Sequence, residues 1–424
     1  MKSLANIEPL SETDLSIRKE ILNWRESVID QIDPPMLTNE WRIMSERDEG
    51  IFNTSSGAID IVRKKLKSVD FSLLQLSSEN KEKTIKFYLD YFHRKKINVE
   101  NLLSQVDESE YFDSDHVIEW NGFRLSSDLL RRLAMYDTIR QNSSLQDSRK
   151  TVLELGGGYG GFSRIFKTLH PSATYIIVDL PNSLCYSAAF LKLNFPDARH
   201  HLVTSETAAE VTPKTVDQHD FIYVPVGLEQ TFLDLSIDLF LNTYSFGEIP
   251  NKEIERWFDR INGAANIKSI YLLNHFLNVA GYTYKPDGNA ASVLLGSDWQ
   301  VERWELNPEY TEDPIETQLD LNYLEIVATR PSEPGPANRR RAALEAVQFA
   351  RSLPWFKVLT KRLQNREFHP GAATENGRDQ GGRVAISSLG RGTIVPLPRD
   401  RRDFRSLSDL YQQRKAAVWR DGLP

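Results

Sequence analysis

The residues best suited to chemistry lie between Thr151 and Asn182. Five glycines, Gly156, Gly157, Gly158, Gly160 and Gly161, follow a short apolar run ending in Glu154-Leu155, and Asp179 closes a second apolar run. Glycines so placed permit positive φ and let a ligand approach the main chain closely. An acid roughly twenty residues beyond such a turn suits ribose hydroxyls. The turn reads E-x-G-x-G-x-G through Glu154, Gly156, Gly158 and Gly160, whereas a dinucleotide site wants G-x-G-x-x-G. An acid ahead of the turn does nothing for a pyrophosphate. It suits a nucleoside ligand that carries a cationic amino group, with NAD as the competing ligand.

Those residues need a sheet edge to hold them. Thr151 to Leu155 reads as a short buried strand and Ala173 to Val178 as a second, so both acids fall at the carboxyl edge of a parallel sheet, where open α/β folds bind ligands. Between them Phe162, Ile165, Phe166 and Leu169 have helical spacing. A further helix is expected over Ser183 to Leu193, with Pro181 near its start. For the third strand 221–224 is preferred to 200–204, leaving 200–216 as a surface excursion. Ser236 to Asn242 and Ser269 to Leu273 are the next strands. The first leads into the polar segment Thr243 to Pro250 and a helix over Lys252 to Ile261, and the second closes on Asn274 and His275. Gln300 to Leu306 and Asn322 to Thr329 are the remaining strands expected.

Upstream, residues 1 to about 145 read as helical. Ser11 to Asp14 can cap a helix through Ile17, Ile21 and Trp24, with others over Asp60 to Val69 and Lys81 to Phe92. The basic run 92–96 reads as a solvated helix end. Asn121-Gly122 signals a turn, after which Ser127 would cap a helix through Leu129, Leu130, Leu133 and Tyr136. Arg124, Asp128, Arg131 and Tyr136 are candidates to face a ligand, with surface or packing roles as the alternative.

The 424 residues carry a formal net charge of -7 and 26% charged side chains, an ordinary composition that does not favour nucleic acid as a partner. Cys185 is the sole cysteine, which excludes an intrachain disulfide and a thiolate cluster. No apolar stretch is long enough for a signal peptide or a membrane span, so a cytoplasmic enzyme is expected. Past the Pro-rich run 331–336 the chain turns Arg-, Gly- and Pro-rich. Residues 331–424 hold 18 basic and 9 acidic side chains, so this extension is basic and the rest acidic. Short helices are expected near 341–353, 356–363 and 404–419, with 366–400 disordered.

LELGGGYGG at 153–161 and IIVDLP at 176–181 resemble motif I and the ribose-binding acid of class I S-adenosylmethionine-dependent methyltransferases. With NGFRLSSDLL at 121–130 and DLFLNTYSFGEIP at 238–250, they are similar to a bacterial family of sugar O-methyltransferases. The resemblance covers roughly 115–330. It implies a Rossmann-like α/β fold with three parts: a helical N-terminal region (1–145), a methyltransferase domain (146–330) and the Arg-rich extension (331–424). It also implies S-adenosylmethionine as cofactor, held by Glu154, Gly156, Gly158, Gly160, Asp179, Leu180 and Asn242. The acceptor would be a small-molecule or oligosaccharide hydroxyl, met by Arg124, Tyr244 and Ser245. His275 is the first candidate for general base and Glu248 the second; each also reads as an ordinary strand-end or helix-start residue. No metal is expected. An NAD-dependent oxidoreductase and a non-catalytic protein of the same fold are the rival readings.

Overall fold

The computed structural model describes residues 11–31, 39–73, 78–112, 117–142, 150–246, 249, 251–264, 266–275, 278–280, 295, 298–306, 323–330, 383–386 and 393–396. In chain order the N-terminal part runs α1 (Glu12–Val28), α2 (Asn39–Thr54), α3 (Ala58–Leu73), α4 (Ser78–Arg94) and α5 (Val99–Leu103). The hairpin β1 (Ile118–Trp120) and β2 (Phe123–Leu125) leads to α6 (Ser127–Asn142). The sheet region follows with β3 (Thr151–Leu155), α7 (Gly161–Leu169), β4 (Thr174–Asp179), α8 (Pro181–Asn194) and β5 (His200–Leu202). After α9 (Ser205–Ala208) and α10 (Pro213–Gln218) come β6 (Phe221–Pro225), α11 (Gln230–Leu233) and β7 (Leu239–Thr243). The remainder is α12 (Asn251–Gly263), β8 (Ser269–His275), β9 (Asn278–Ala280), β10 (Gln300–Leu306), β11 (Tyr323–Thr329), β12 (Arg383–Ile386) and β13 (Thr393–Pro396).

Two compact units divide these residues. The first runs to Ser245 and adds Gly263–Leu272; the second holds Phe246–Asn262 and the described residues from Leu273 onward. Strand β8 contributes to both. In the first unit the strand order is β8-β7-β3-β4-β6-β5, and β3 pairs in parallel with β4 and β7. Strand β6 does the same with β4 and β5. In the second unit the order continues β8-β11-β10, with β10 and β11 antiparallel. A mostly parallel sheet flanked by helices, with an antiparallel closing pair, is the Rossmann-like class I methyltransferase fold expected from the sequence.

Several local expectations are refined. Phe221–Pro225 is the strand beside β4, as preferred, but His200–Leu202 is also a strand and pairs beyond it at the sheet edge. The cap of α6 is Ser126, whose Oγ accepts the Leu129 N–H at 3.0 Å, so Ser127 is the first helical residue. Asn121 and Gly122 both have positive φ, +48° and +83°, the signature of a two-residue hairpin turn. The basic run at 93–96 is exposed at the end of α4. Within 366–400, expected to be disordered, β12 and β13 pair with each other and β12 pairs with β9. The helices expected at 341–353, 356–363 and 404–419 lie outside the described residues.

Every residue of α8 from Pro181 to Leu191 is buried, because its outer face is covered by α1 and α3. A helix apolar all round demands such cover. Trp24 of α1 is buried and donates from Nε1 to the Val203 carbonyl at 2.9 Å. Asp14 of α1 accepts the Ile59 N–H at 2.8 Å, capping α3 from outside. In the second unit Arg330 donates to the carbonyls of Ile261 and Asn262 at the end of α12, a cation where the helix dipole favours one. Among the described residues no helix is long and apolar enough to cross a membrane.

The N-terminal helices therefore share a core with the sheet region. Trp24→Ala is expected to cost ~3–5 kcal/mol, seen in urea as a lower midpoint of the main transition. A main transition unmoved by the substitution would mean that these helices fold apart from it.

Candidate functional site

The turn between β3 and α7 passes through the left-handed region three times, at Gly156 (φ +80°), Gly158 (φ +58°) and Gly160 (φ +88°). Gly156 leaves no room for a side chain, since a Cβ there would overlap the Ser245 hydroxyl. Gly158 is the opposite case: a Cβ would meet nothing within 4 Å, so the turn is open on that face. The Gly156 N–H donates to the Val178 carbonyl at 2.8 Å, which ties the turn to β4.

Two acids hold this turn. Asp179, 7% exposed, accepts the Gly158 N–H through Oδ2 at 2.9 Å and the Leu180 N–H through Oδ1 at 2.7 Å. Burial lifts its carboxyl to about 6, against the lowering effect of those N–H groups and of the Lys65 charge. Glu154, 1% exposed, lies beneath the turn; its Oε2 accepts the Tyr175 hydroxyl at 2.8 Å and the Ser163 hydroxyl at 3.1 Å. Burial pushes it to about 7, although Tyr175, Arg132 and Ser163 all favour the ionised form. On the far side Asn242 is fully buried, its Nδ2 donating to the Leu155 carbonyl at 2.9 Å and to Ser245 Oγ at 2.6 Å. The Asn242 amide thus braces the turn from β7. Tyr244 takes a positive φ of +64° between them, with the Arg131 guanidinium 5.9 Å from its ring centre.

The first unit therefore gathers Glu154, Gly156, Gly158, Gly160, Asp179, Leu180, Asn242, Tyr244 and Ser245 at one sheet edge. Arg124 sits on β2 opposite Glu119, and its carbonyl accepts the Glu108 N–H at 3.2 Å. Tyr136 takes the packing alternative, its hydroxyl 3.0 Å from His170 Nε2 and its ring edge-on to Phe166. Arg131 donates to the Tyr88 hydroxyl at 3.3 Å. Glu248 lies outside the described residues. His275 is the last residue of β8, in the second unit, where its neighbour Asn274 accepts the Phe246 N–H through Oδ1 at 3.0 Å. Among the described residues no group of three or more His, Cys, Asp or Glu could hold a metal ion.

Of a second layer around the turn, sequence reasoning named Asp128 but missed Arg132 and Tyr159. Arg132 donates from Nε to Asp128 Oδ2 at 2.6 Å, the Tyr159 hydroxyl donates to the same oxygen, and the guanidinium lies 5.1 Å from the Tyr159 ring centre. Burial raises Asp128, but the charge and hydrogen bond of Arg132 win and hold it below the usual carboxylate range. The signal was present: Asp128 and Arg132 are four apart on one helix face, and Tyr159 is the one large side chain among the glycines. The Lys65–Asp48 pair, with Tyr186 donating to Asp48 at 2.8 Å, is a further buried charge group, on helices that pack on α8.

Glu154 gives the site a pH dependence. Its folded-state pKa is raised, so between the ordinary carboxylate range and about pH 7 the folded chain holds a proton that the unfolded chain has released. Its contribution to stability is therefore present at low pH and lost as pH rises to about 7. Glu154→Gln removes that loss, so the variant should gain on the wild type by ~1–3 kcal/mol between pH 5 and pH 8 in urea denaturation. A difference unchanged with pH would mean that Glu154 titrates normally.

The sequence matches no protein-family model and no curated protein sequence. Solved structures of similar course include TrmK of M. capricolum with S-adenosylhomocysteine, at 10% identity over 54% of this chain and 87% of that one, with a TM-score of 0.30. Another is a SAM-dependent methyltransferase from Aquifex aeolicus, at 12% identity over 46% and 89%, TM-score 0.26. A third is the [4+2]-cyclase SpnF, at 12% identity over 50% and 83%, TM-score 0.31. Likenesses at this level assign neither a substrate nor a reaction to this chain.

Proposed function

We propose that this chain transfers a methyl group from S-adenosylmethionine to a hydroxyl of a sugar or glycosylated metabolite. The observation that carries the donor is the pair of buried acids, Glu154 and Asp179, on adjacent parallel strands to either side of a left-handed glycine turn. The residues fit such a group. An ionised carboxylate has about four acceptor positions; Asp179 uses two on the N–H groups of Gly158 and Leu180, which leaves acceptors for a ribose diol. Gly158 presents an open stretch of backbone beside it. Glu154 supplies negative charge under the turn for an ammonium group, and the same charge opposes a pyrophosphate.

When bound, S-adenosylmethionine supplies an electrophilic methyl group on a sulfonium. The protein's part is then alignment and proton removal. Asn242 and Ser245 hold the turn in register with β7, which fixes the edge along which donor and acceptor meet. Tyr244 and Arg124 are the proposed acceptor contacts. His275, whose residue type can take up a proton, is the proposed base for the acceptor hydroxyl, and Glu248 is its proposed partner or substitute. The sugar class of acceptor rests on the resemblance carried by 121–130 and 238–250.

Calorimetric titration with S-adenosylmethionine, S-adenosylhomocysteine and NAD tests the donor. Micromolar binding of the first two is expected, and binding of NAD alone would overturn the reading. Asp179→Ala should weaken donor binding about tenfold or more. His275→Ala should leave that affinity in place while turnover of labelled donor onto sugars drops about 10²- to 10⁴-fold. Equal loss of donor affinity in both variants would sink this division of roles.

A further inference from the structure

Arg132 is held as a binding group is held. Its side chain lies against the start of α7, where a Cβ on Gly161 would come within 2.7 Å of its Nε. Asp128 fixes that Nε at 2.6 Å, and the Tyr159 ring supports the guanidinium from one side. Tyr159 is fixed in turn by donating its hydroxyl to Asp128 and by packing edge-on to Phe190, 5.2 Å between ring centres. Among the described residues the two Nη groups take no protein hydrogen bond, and neither is sealed from solvent. A guanidinium with one edge tied and the other free is preorganised for a planar anion. Its charge is also felt by Glu154 beneath the same turn.

An acid and an arginine at one glycine turn describe a receptor for a zwitterion. We propose that Arg132 binds the α-carboxylate at the amino-acid end of the sulfonium donor, with Asp128 and Tyr159 as its positioning residues. The inference deepens the proposed function and rests on it. It gives the two charges separate tasks: Glu154 meets the ammonium and Arg132 the carboxylate. It also makes α6, ahead of the sheet, part of the donor site. An anionic group on the acceptor is the other source of a carboxylate or phosphate for Arg132, and the test separates the two.

The experiment compares S-adenosylmethionine with its decarboxylated form, which keeps the sulfonium, ribose, base and amine but lacks the carboxylate. Wild-type protein should bind the decarboxylated ligand about ten- to a hundredfold more weakly. Arg132→Gln should bind both ligands about equally, with its affinity for the decarboxylated one near that of the wild type, and Arg132→Lys should recover part of the preference. Preference retained in Arg132→Gln, or equal weakening toward both ligands, would overturn the assignment. So would a wild-type protein indifferent to the carboxylate, a result that needs no variant to fold. In each of those cases binding of S-adenosylmethionine itself would leave the donor reading intact. A wild-type protein that binds neither ligand would remove both.

Discussion

The turn after β3 must run through three left-handed residues while lying close enough to Ser245 that Gly156 tolerates no side chain. An open backbone of that kind has few hydrogen bonds of its own, so its shape has to come from its surroundings. It comes from below through Glu154 with Tyr175 and Ser163, from β4 through Asp179 and the Val178 carbonyl, and from β7 through Asn242. The side chains that suit a ligand are thus the ones that hold the turn. Removing one alters both at once, so ligand binding and the shape of the turn change together.

The N-terminal helices answer a different constraint. Helix α8 follows Asp179 directly and is buried on every side, so the strand end that carries the acid is only as fixed as the cover over α8. That cover is polar where it meets the first turn of the helix. Arg25 donates to Asn182 Oδ1 at 2.6 Å and also pairs with Glu49, while Tyr186 and Lys65 share Asp48. Buried polar groups of this kind specify one docking arrangement more than they add stability. Lys65 is near enough for its charge to favour ionised Asp179, so helices far ahead of the glycine turn in sequence act on its chemistry.

Much of this was legible because the responsible signals are local. The glycine turn, the two acids and the strands around them follow from composition and spacing within about thirty residues. Strands β10 and β11 also lie where strands were expected, and they pair antiparallel. What escaped was set by partners distant in the chain. Asn242 reads as a ligand group, and only the fold shows that its Nδ2 also reaches the Leu155 carbonyl and Ser245. Tyr136 reads as a site residue until it meets His170 and Phe166. The cap of α6 moved by one residue because Ser126 and Ser127 are chemically alike, and only the fold decides which hydroxyl reaches the Leu129 N–H. In the sequence the segment 200–204 competes with 221–224 for one strand position, whereas the fold uses both, with His200–Leu202 pairing on the outer edge of β6.

The electrostatics of the turn bear on which ligand it can accept. Near neutral pH Asp179, at about 6, is mostly ionised, while Glu154, at about 7, is poised between its two states. Burying such groups costs free energy that the unfolded chain does not spend, and the cost falls when a cation arrives beside them. An ammonium near Glu154 would draw it to the ionised form, so part of the burial penalty is relieved by binding. A pyrophosphate would do the reverse, pressing negative charge toward two carboxylates and forcing protonation or displacement. Arg132 does not cancel that asymmetry, because its Nε is already paired with Asp128. The arrangement therefore favours a ligand of mixed charge over a polyanion, on grounds independent of the spacing of the glycines.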